Sequence, residues 1–586
     1  MTNGTPSSPG NWTLVKDTDS LKHATVSLAG KRLLALDVET EGLDPHLDKV
    51  VLLGLGDMEQ QVLVDCRRVS LEPLRPLLSG STVKVTHNGA FDLSMLRARG
   101  VRCENVADTM LNEQVLENGR RSGSVSLAAL ADKYLGIELP KEQRLTFAST
   151  EGEFTRAQLE YLRRDLLATY QLLLEQVPRL EREQLESTAR LEATAVPVFA
   201  DLRYDGIYLD ARQWAEIVEE AKHRRQQLRD EIDKLLAPVC DVDLFGNVSI
   251  NYESEQELKK ALEKLAGRAL PDVSKHTLLR IGHPAGKLLV QYREQSKIVT
   301  TYGQNFLEFI HPRTGRIHAE FHQIGAPTGR VSCSNPNLQN IPRGSRFRRC
   351  FRAPDGRKLI TADYSGCELR ILAELSQDDS FLRIFNSGGD LHSMVASEIF
   401  GRTVSKSQNP ELRNRAKAIN FGLAYGMGAG GLAQVTGLSL EAAEQLLNRY
   451  FRAYPKVKRY LDESAEVALR RGWASTIGGR KLYLQDTDDP QKRAALARVV
   501  KNMPIQGTNA DMLKLAMAGI RRRLLDESLD AFIVNCVHDE IVVEASEDSA
   551  WDVAEVVEQE MVRAGERFIK SVPVEVEVSV GDYWQK

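Results

Sequence analysis

The sequence predicts a multidomain protein, an α/β domain followed by a larger α+β assembly. Three observations carry this expectation. The chain has 586 residues, too many for one compact core, so two to four domains are expected. In the first third, short apolar runs of strand length alternate with helical stretches. In the second half, two apolar runs each deliver an aspartate at or near the end, on either side of a helical region.

The elements follow in order. Residues 1–11 are polar without an apolar core, which predicts a loose tail rather than a signal peptide. Strands are expected at 33–38, 50–55 and 61–64. On the first of them Asp37 and Glu39, two residues apart, face the same side. Asp92 closes the run His87-Asn-Gly-Ala-Phe-Asp92, and Tyr161 stands one helical turn before Asp165. Residues 158–186 read as largely helical. A long amphipathic helix is expected at 211–236, with a return helix that includes 287–299. The apolar runs then lead to Asp363 and to His538-Asp539.

Composition excludes more than it identifies. The formal net charge is −4, so no global field points to a polyanion, and any positive field is local. Arginines cluster at 343, 346, 348, 349 and 352, and cations again at 449, 452, 456, 458 and 459. Each run reads as a solvated face or as a surface for a phosphate backbone, with the flanking motifs favouring the second. Seven cysteines are scattered without a C-x-x-C pair, which argues against a zinc site and for a reducing compartment. No run is long enough to span a membrane, and no solenoid repeat is visible.

The most informative stretch is Arg413-Asn-Arg-Ala-Lys417-Ala-Ile-Asn-Phe421-Gly-Leu-Ala-Tyr425-Gly426. Steps of four place two cations and then two aromatics along one helix face. Cations can hold a triphosphate, and rings can stack on bases. The bland alternative is a surface helix with an apolar edge. With its Asn-Phe-Gly and Tyr-Gly, the stretch resembles motif B of the family A DNA polymerases. The segments around Asp363 and Asp539 resemble motifs A and C, and the three occur in that family's order.

The resemblance implies a template-directed DNA polymerase. Asp363 and Asp539, with the Tyr364 carbonyl, would bind two magnesium ions, manganese serving as substitute. Arg413 and Lys417 would hold the triphosphate, and Lys417 would protonate the departing pyrophosphate. Asp390-Leu-His392 is similar to the family's Asp-Ile-His, whose histidine helps bind the nucleotide. Glu368 corresponds to the gate that crowds a ribose 2′-hydroxyl. Phe421 would lie against the incoming sugar and base, and Tyr425 near the templating base. The phenylalanine at 421 implies discrimination against dideoxynucleotides. Arg330, Asn337, Gln339 and Asn340 resemble the segment that follows the primer-template minor groove, whose acceptors occur in every correct pair. Arg498, Asn502 and Gln506 repeat that logic along a helix, and His538 joins the expected DNA contacts.

Asp37, Glu39, Asp92 and Asp165, with Tyr161, resemble the DEDD pattern of 3′→5′ exonucleases, Tyr-bearing subtype. Four carboxylates can hold two further metal ions, and Tyr161 would orient the attacking water. The implied organisation is a tail (1–11), an RNase H-like exonuclease domain (12–185) and a right-hand polymerase (186–586). Its thumb would lie at about 205–310, its palm at about 311–380 and 505–586, and its fingers at about 381–504. Implied partners are primer-template DNA and deoxynucleoside triphosphates, for a monomer without membrane contact in a bacterial or virus-infected cytoplasm.

Departures are few. Gly366 and Cys367 replace the usual Gln and Ile of motif A, and Asn414 stands where many relatives have arginine. The family's 5′-nuclease domain is expected to be missing, as a natural short form or a trimmed one. Alternatives are an exonuclease with an impaired polymerase domain, a single-subunit RNA polymerase, and a non-enzymatic DNA-binding scaffold. Intact carboxylates at both centres and the gate glutamate argue against them.

Overall fold

A computed structural model describes residues 11–120, 123–140, 142–242, 248–388, 390–424, 427–485 and 487–585. Tyr425 and residues 1–10 lie outside these, as does the side chain of Phe421. The chain divides into two units.

The first unit holds Met1–Gly206, His318–Asn340 and Ala353–Asp582. Its N-terminal part is a mixed six-stranded sheet in the order β1-β4-β3-β2-β5-β6. The strands are β1 (Asn11–Val15), β2 (Leu33–Thr40), β3 (Val50–Gly56), β4 (Gln60–Asp65), β5 (Val83–Thr86) and β6 (Val106–Asp108). Asn11 already pairs with Gln60, so the expected tail ends a residue earlier than its composition suggested. All seven residues of β3 are buried, because helices cover both faces of the sheet.

Helix α1 (Gly89–Ala98) follows β5, and α2 (Arg156–Arg182) crosses β2 and β3. A capping box starts α2: the Gln158 amide donates to Thr155 Oγ1 at 3.2 Å, and the Thr155 amide to Gln158 Oε1 at 2.9 Å. Gly54 on β3 lets α2 lie close, since a Cβ there would sit 2.7 Å from Leu166 Cδ1.

Helix α3 (Glu186–Asp205) ties this domain to the rest of the unit. Glu192 is wholly buried and accepts from Lys514 Nζ at 2.6 Å and from the Arg480 guanidinium, which also pairs with Asp511 at 2.7 Å. Arg521 binds Glu104 at 2.8 Å and Asp201 at 2.5 Å. These pairs join the exonuclease-like domain and the C-terminal elements in one compact unit, where the sequence reading drew a border at 185.

The C-terminal sheet has the order β8-β9-β7-β10, from β7 (Arg357–Tyr364), β8 (Ala531–Val537), β9 (Glu540–Ser546) and β10 (Val576–Gly581). Its apolar face, with Ile360, Ala362, Ile541 and Val543, shares a core with Met512 and Met517 of α9 (Pro490–Asp526) and with Val553 and Met561 of α10 (Ala550–Glu566). The 37-residue α9 continues through Pro504, so the expected fingers-to-palm border at 504/505 falls inside a helix.

The second unit holds Ile207–Ile317, Ile341–Arg352 and Tyr583–Lys586. Its long helices are α4 (Ala211–Leu236) and α5 (Pro284–Thr301). The sequence reading assigned 341–352 and the terminus to the palm. They belong here because Phe347 and Phe351 pack edge-on against Trp214, and Trp584 against Phe351. The arginine cluster is used for the same packing: Arg348 is 2% exposed and lies 4.0 Å over the Trp584 ring, while Arg346 pairs with Glu220. In the other cationic run, Lys456, Lys458 and Arg459 pair with Asp379, Asp462 and Glu463. Arg348 is thus taken up by packing, which the charge run alone did not distinguish from phosphate contact, whereas the other pairs lie at the exposed surface.

Candidate active sites

The first site lies on the N-terminal sheet. Asp37 and Glu39 come from β2 and Asp165 from α2, and one carboxylate oxygen of each lies within 4.8 Å of the others. Asp92, on the first turn of α1, is 3% exposed and faces the same group electrostatically without joining that tight set. Burial first, then mutual repulsion, pushes Asp37 and Glu39 well above the usual carboxylate range. Burial raises Asp165 to about 7, against a hydrogen bond from the Tyr161 hydroxyl and the nearby Arg144 guanidinium, which lower it.

All five of these residues are named by the sequence, and two further residues beside them are not. Asp108 Oδ2 accepts from Thr86 Oγ1 at 3.0 Å and from the Gly89 amide at 2.6 Å, fixing the turn that presents Asp92. Arg144 supplies the positive charge beside Glu39 and Asp165. An acid at the end of a short strand and an arginine in a polar segment carry no distinguishing signal.

The second site lies at the ends of β7, β8 and β9. Antiparallel pairing of β7 with β9 sets Asp363 opposite Glu540, and the Tyr364 amide donates to the Asp539 carbonyl at 3.3 Å. Asp363 and Asp539 are both half-buried. His538 takes the left-handed conformation (φ 57°) in the β8–β9 turn and is exposed. Burial pushes the Cys367 thiol well up, and the charges of Asp539, Glu368 and Asp363 push it further.

Gly366, one of the departures, has a structural reason. It starts α6 (Cys367–Ser376) at φ 62°, a left-handed position that side chains other than glycine's adopt at a cost. Cys367 Sγ contacts Asn509 Oδ1 at 3.0 Å, so both departures lie in a packed turn behind Asp363. Glu368, 8% exposed, accepts from Arg330 Nη2 at 2.5 Å. Two residues expected to act separately therefore form one ion pair.

The flanking residues are spread over several elements. Gln339 Nε2 donates to the Cys536 carbonyl of β8 at 3.2 Å, and Asn337 Oδ1 accepts from the Gln339 amide. Asn337 and Asn340 are exposed. Arg498 is exposed on α9, with Asn502 and Gln506 half-buried one and two turns further. Helix α7 (Leu391–Phe400) begins at Asp390, and α8 (Pro410–Ala424) carries Arg413, exposed Lys417 and the backbone of Phe421. Arg413 Nε and Nη2 donate to Asp390 at 2.5 and 2.8 Å. Burial holds His392 down to about 4, helped by Arg413 and Lys417, and its Nδ1 lies 3.1 Å from Asn420 Nδ2.

A mixed sheet bearing buried carboxylates, joined to a four-stranded sheet bearing two more, defines a polymerase fold with an exonuclease domain. Comparison with known proteins agrees. The model of DNA polymerase family A matches residues 218–586, and that of the 3′-5′ exonuclease matches 12–180. The chain belongs to DNA polymerase family A. DNA polymerase I of Chloroflexus aurantiacus is 30% identical over 98% of this chain and 63% of its own length. That of Pseudomonas aeruginosa is 33% identical over 94% and 63%, and the thermostable DNA polymerase I of Thermus aquaticus is 37% identical over 69% and 48%. The chain thus spans less than two thirds of the length of these relatives. A solved structure, the POL domain of Pol1 from M. smegmatis in complex with DNA primer-template and dNTP, superposes with a TM-score of 0.83 at 28% identity, covering 98% of this chain and 99% of that one.

Proposed function

We propose that this chain is a template-directed DNA polymerase that adds deoxynucleotides to a primer 3′ end and carries a 3′→5′ proofreading exonuclease. The observation that carries the polymerase reading is the β7–β9 register, which brings Asp363 beside Asp539 at one end of the sheet. The substrates are primer-template DNA and deoxynucleoside triphosphates, and the working form is a cytoplasmic monomer. Among the described residues, no helix is long and apolar enough to cross a membrane.

The residues fit divalent cations. Buried carboxylates within 4.8 Å of one another, all with raised affinity for protons, form an all-oxygen set that magnesium, or manganese in its place, accepts. Asp37, Glu39, Asp92 and Asp165 would hold ions in the exonuclease, and Asp363, Asp539 and the Tyr364 carbonyl in the polymerase. Bound ions supply charge neutralisation and, in the exonuclease, an acidified water. The protein's own groups do the rest. Tyr161 orients the water through Asp165, and Arg413, Lys417 and neutral His392 receive the triphosphate, with Lys417 donating a proton to pyrophosphate. Glu368, braced by Arg330, crowds a 2′-hydroxyl. Phe421 and Tyr425 border the insertion pocket. Arg330, Asn337, Gln339, Asn340, Arg498, Asn502, Gln506 and His538 contact the duplex.

Incubating a labelled primer on a DNA template with magnesium tests this reading. Growth with the four deoxynucleotides, and shortening from the 3′ end without them, is the expected result. Shortening without growth would leave an exonuclease with an impaired polymerase, and preferential ribonucleotide use would favour an RNA polymerase.

A further inference from the structure

Helices α3, α9 and α10 and the β5–β6 edge of the N-terminal sheet enclose a cleft of about 720 Å³. It holds none of the carboxylates of either active site. It opens at Val83, the first residue of β5, whereas Asp92 follows the other end of that strand, so it lies at the opposite end of β5 from the exonuclease carboxylates. Six arginines line it (Arg102, Arg190, Arg521, Arg522, Arg563 and Arg567) against three carboxylates, those of Glu104, Asp526 and Glu560.

The charges are unevenly matched. Arg521 is held by Glu104 and Asp201, Arg563 by Glu560 at 3.0 Å, and Arg102 by Asp201 at 3.6 Å. Arg190, Arg522 and Arg567 are exposed, and among the described residues no carboxylate lies within salt-bridge distance of them. Three arginines lining one cleft with no carboxylate at salt-bridge distance suit a multiply charged anion, since each planar fork can grip phosphate oxygens in pairs. The floor between them is aliphatic, from Val106, Pro197, Leu515, Ala518 and Leu525.

We propose that this cleft binds a free nucleoside di- or triphosphate, its phosphates on Arg190, Arg522 and Arg567 and its base on the aliphatic floor. The volume suits a ligand of that size and exceeds the need of inorganic phosphate. The lining contains no aromatic ring, whereas grooves for single-stranded nucleic acid stack successive bases on such rings. The site is separate from the triphosphate residues of the fingers and gives the enzyme a second place at which to sense the nucleotide pool.

The test is calorimetric titration of the full chain with ADP, in chelator and without DNA. Expected is one ADP per chain, weakened about tenfold or more by R522E with R567E, largely kept by R522K with R567K, and unchanged by R413A. Inorganic pyrophosphate should compete. The charge-reversed variant should still extend a primer, which shows that it is folded. Equal ADP binding in that variant, no binding up to millimolar nucleotide, loss of binding in R413A, or an oligonucleotide taken up by the same arginines in place of ADP would each overturn the proposal.

Discussion

In the N-terminal domain, Asp37, Glu39, Asp92 and Asp165 crowd together on one strand and two helices, three of them buried. In the C-terminal sheet, Asp363 and Asp539 sit half-buried at strand ends, and the groups expected to serve them come from α6, α7, α8 and α9. The first centre is a set of like charges on rigid elements, electrostatically incomplete without a cation. In the second, cations are already matched: Arg413 is clasped by Asp390 and Arg330 by Glu368. An anion arriving there would exchange one anionic partner for another, so less charge is uncovered in the empty state. One centre is built by burial, the other by exchangeable pairs.

The largest expected effect separates the two centres outright. Asp37→Ala with Glu39→Ala should cut primer degradation by at least about a thousandfold, because several kcal/mol of metal-dependent catalysis is removed. Extension should change less than about twofold, the two sets of carboxylates standing on different sheets. Loss of both activities in one assay would collapse the distinction.

Glu192→Ala tests what joins the centres. It leaves Lys514 buried and short of its carboxylate, which costs about 3 to 5 kcal/mol. Urea unfolding would read this as an earlier midpoint, and a cost under about 1 kcal/mol would show that the joint lies elsewhere.

A pH series in chelator sharpens the contrast in burial. Asp165, raised to about 7 from 3.8, binds more protons folded than unfolded between those values. The contribution of Asp165 to the stability of the metal-free protein should therefore be full below about pH 4 and fall by on the order of a few kcal/mol as pH rises to about 7. Asp165→Asn should flatten that slope, as should magnesium. A slope untouched by the variant would assign it to other groups.

The smallest effect probes the exchangeable pairs. Glu368→Ala removes the gate and frees Arg330, and should narrow the preference for deoxy- over ribonucleotides by on the order of a hundredfold. An unchanged ratio in single-nucleotide incorporation would remove Glu368 from the gate role.

The N-terminal acids were legible as a set through their resemblance to a known exonuclease pattern, with Asp37 and Glu39 on one strand face and Tyr161 and Asp165 one turn apart. The helix at 211–236 was readable from its single amphipathic period. The ion pairs were not. Arg413 and Asp390 are 23 residues apart, Arg330 and Glu368 38, and Lys514 and Glu192 322, so no local pattern links them. Glu192, Arg480 and Lys514 would each be surface residues by type, and only tertiary packing buries them. Arg348 misleads for the converse reason: a charge run looks the same whether it faces solvent or covers a tryptophan.

Helix α9 has a mechanical consequence. Arg498, Asn502 and Gln506 share one rod with Arg521, roughly 35 Å further along it at 1.5 Å per residue. Arg521 is pinned to Glu104 and Asp201 on the far side. A tilt of about 5° about that anchor moves the Arg498 end by about 3 Å, more than the tolerance of a hydrogen bond. The ion pairs at Arg521 are thus the fulcrum of a lever whose other end carries Arg498, Asn502 and Gln506.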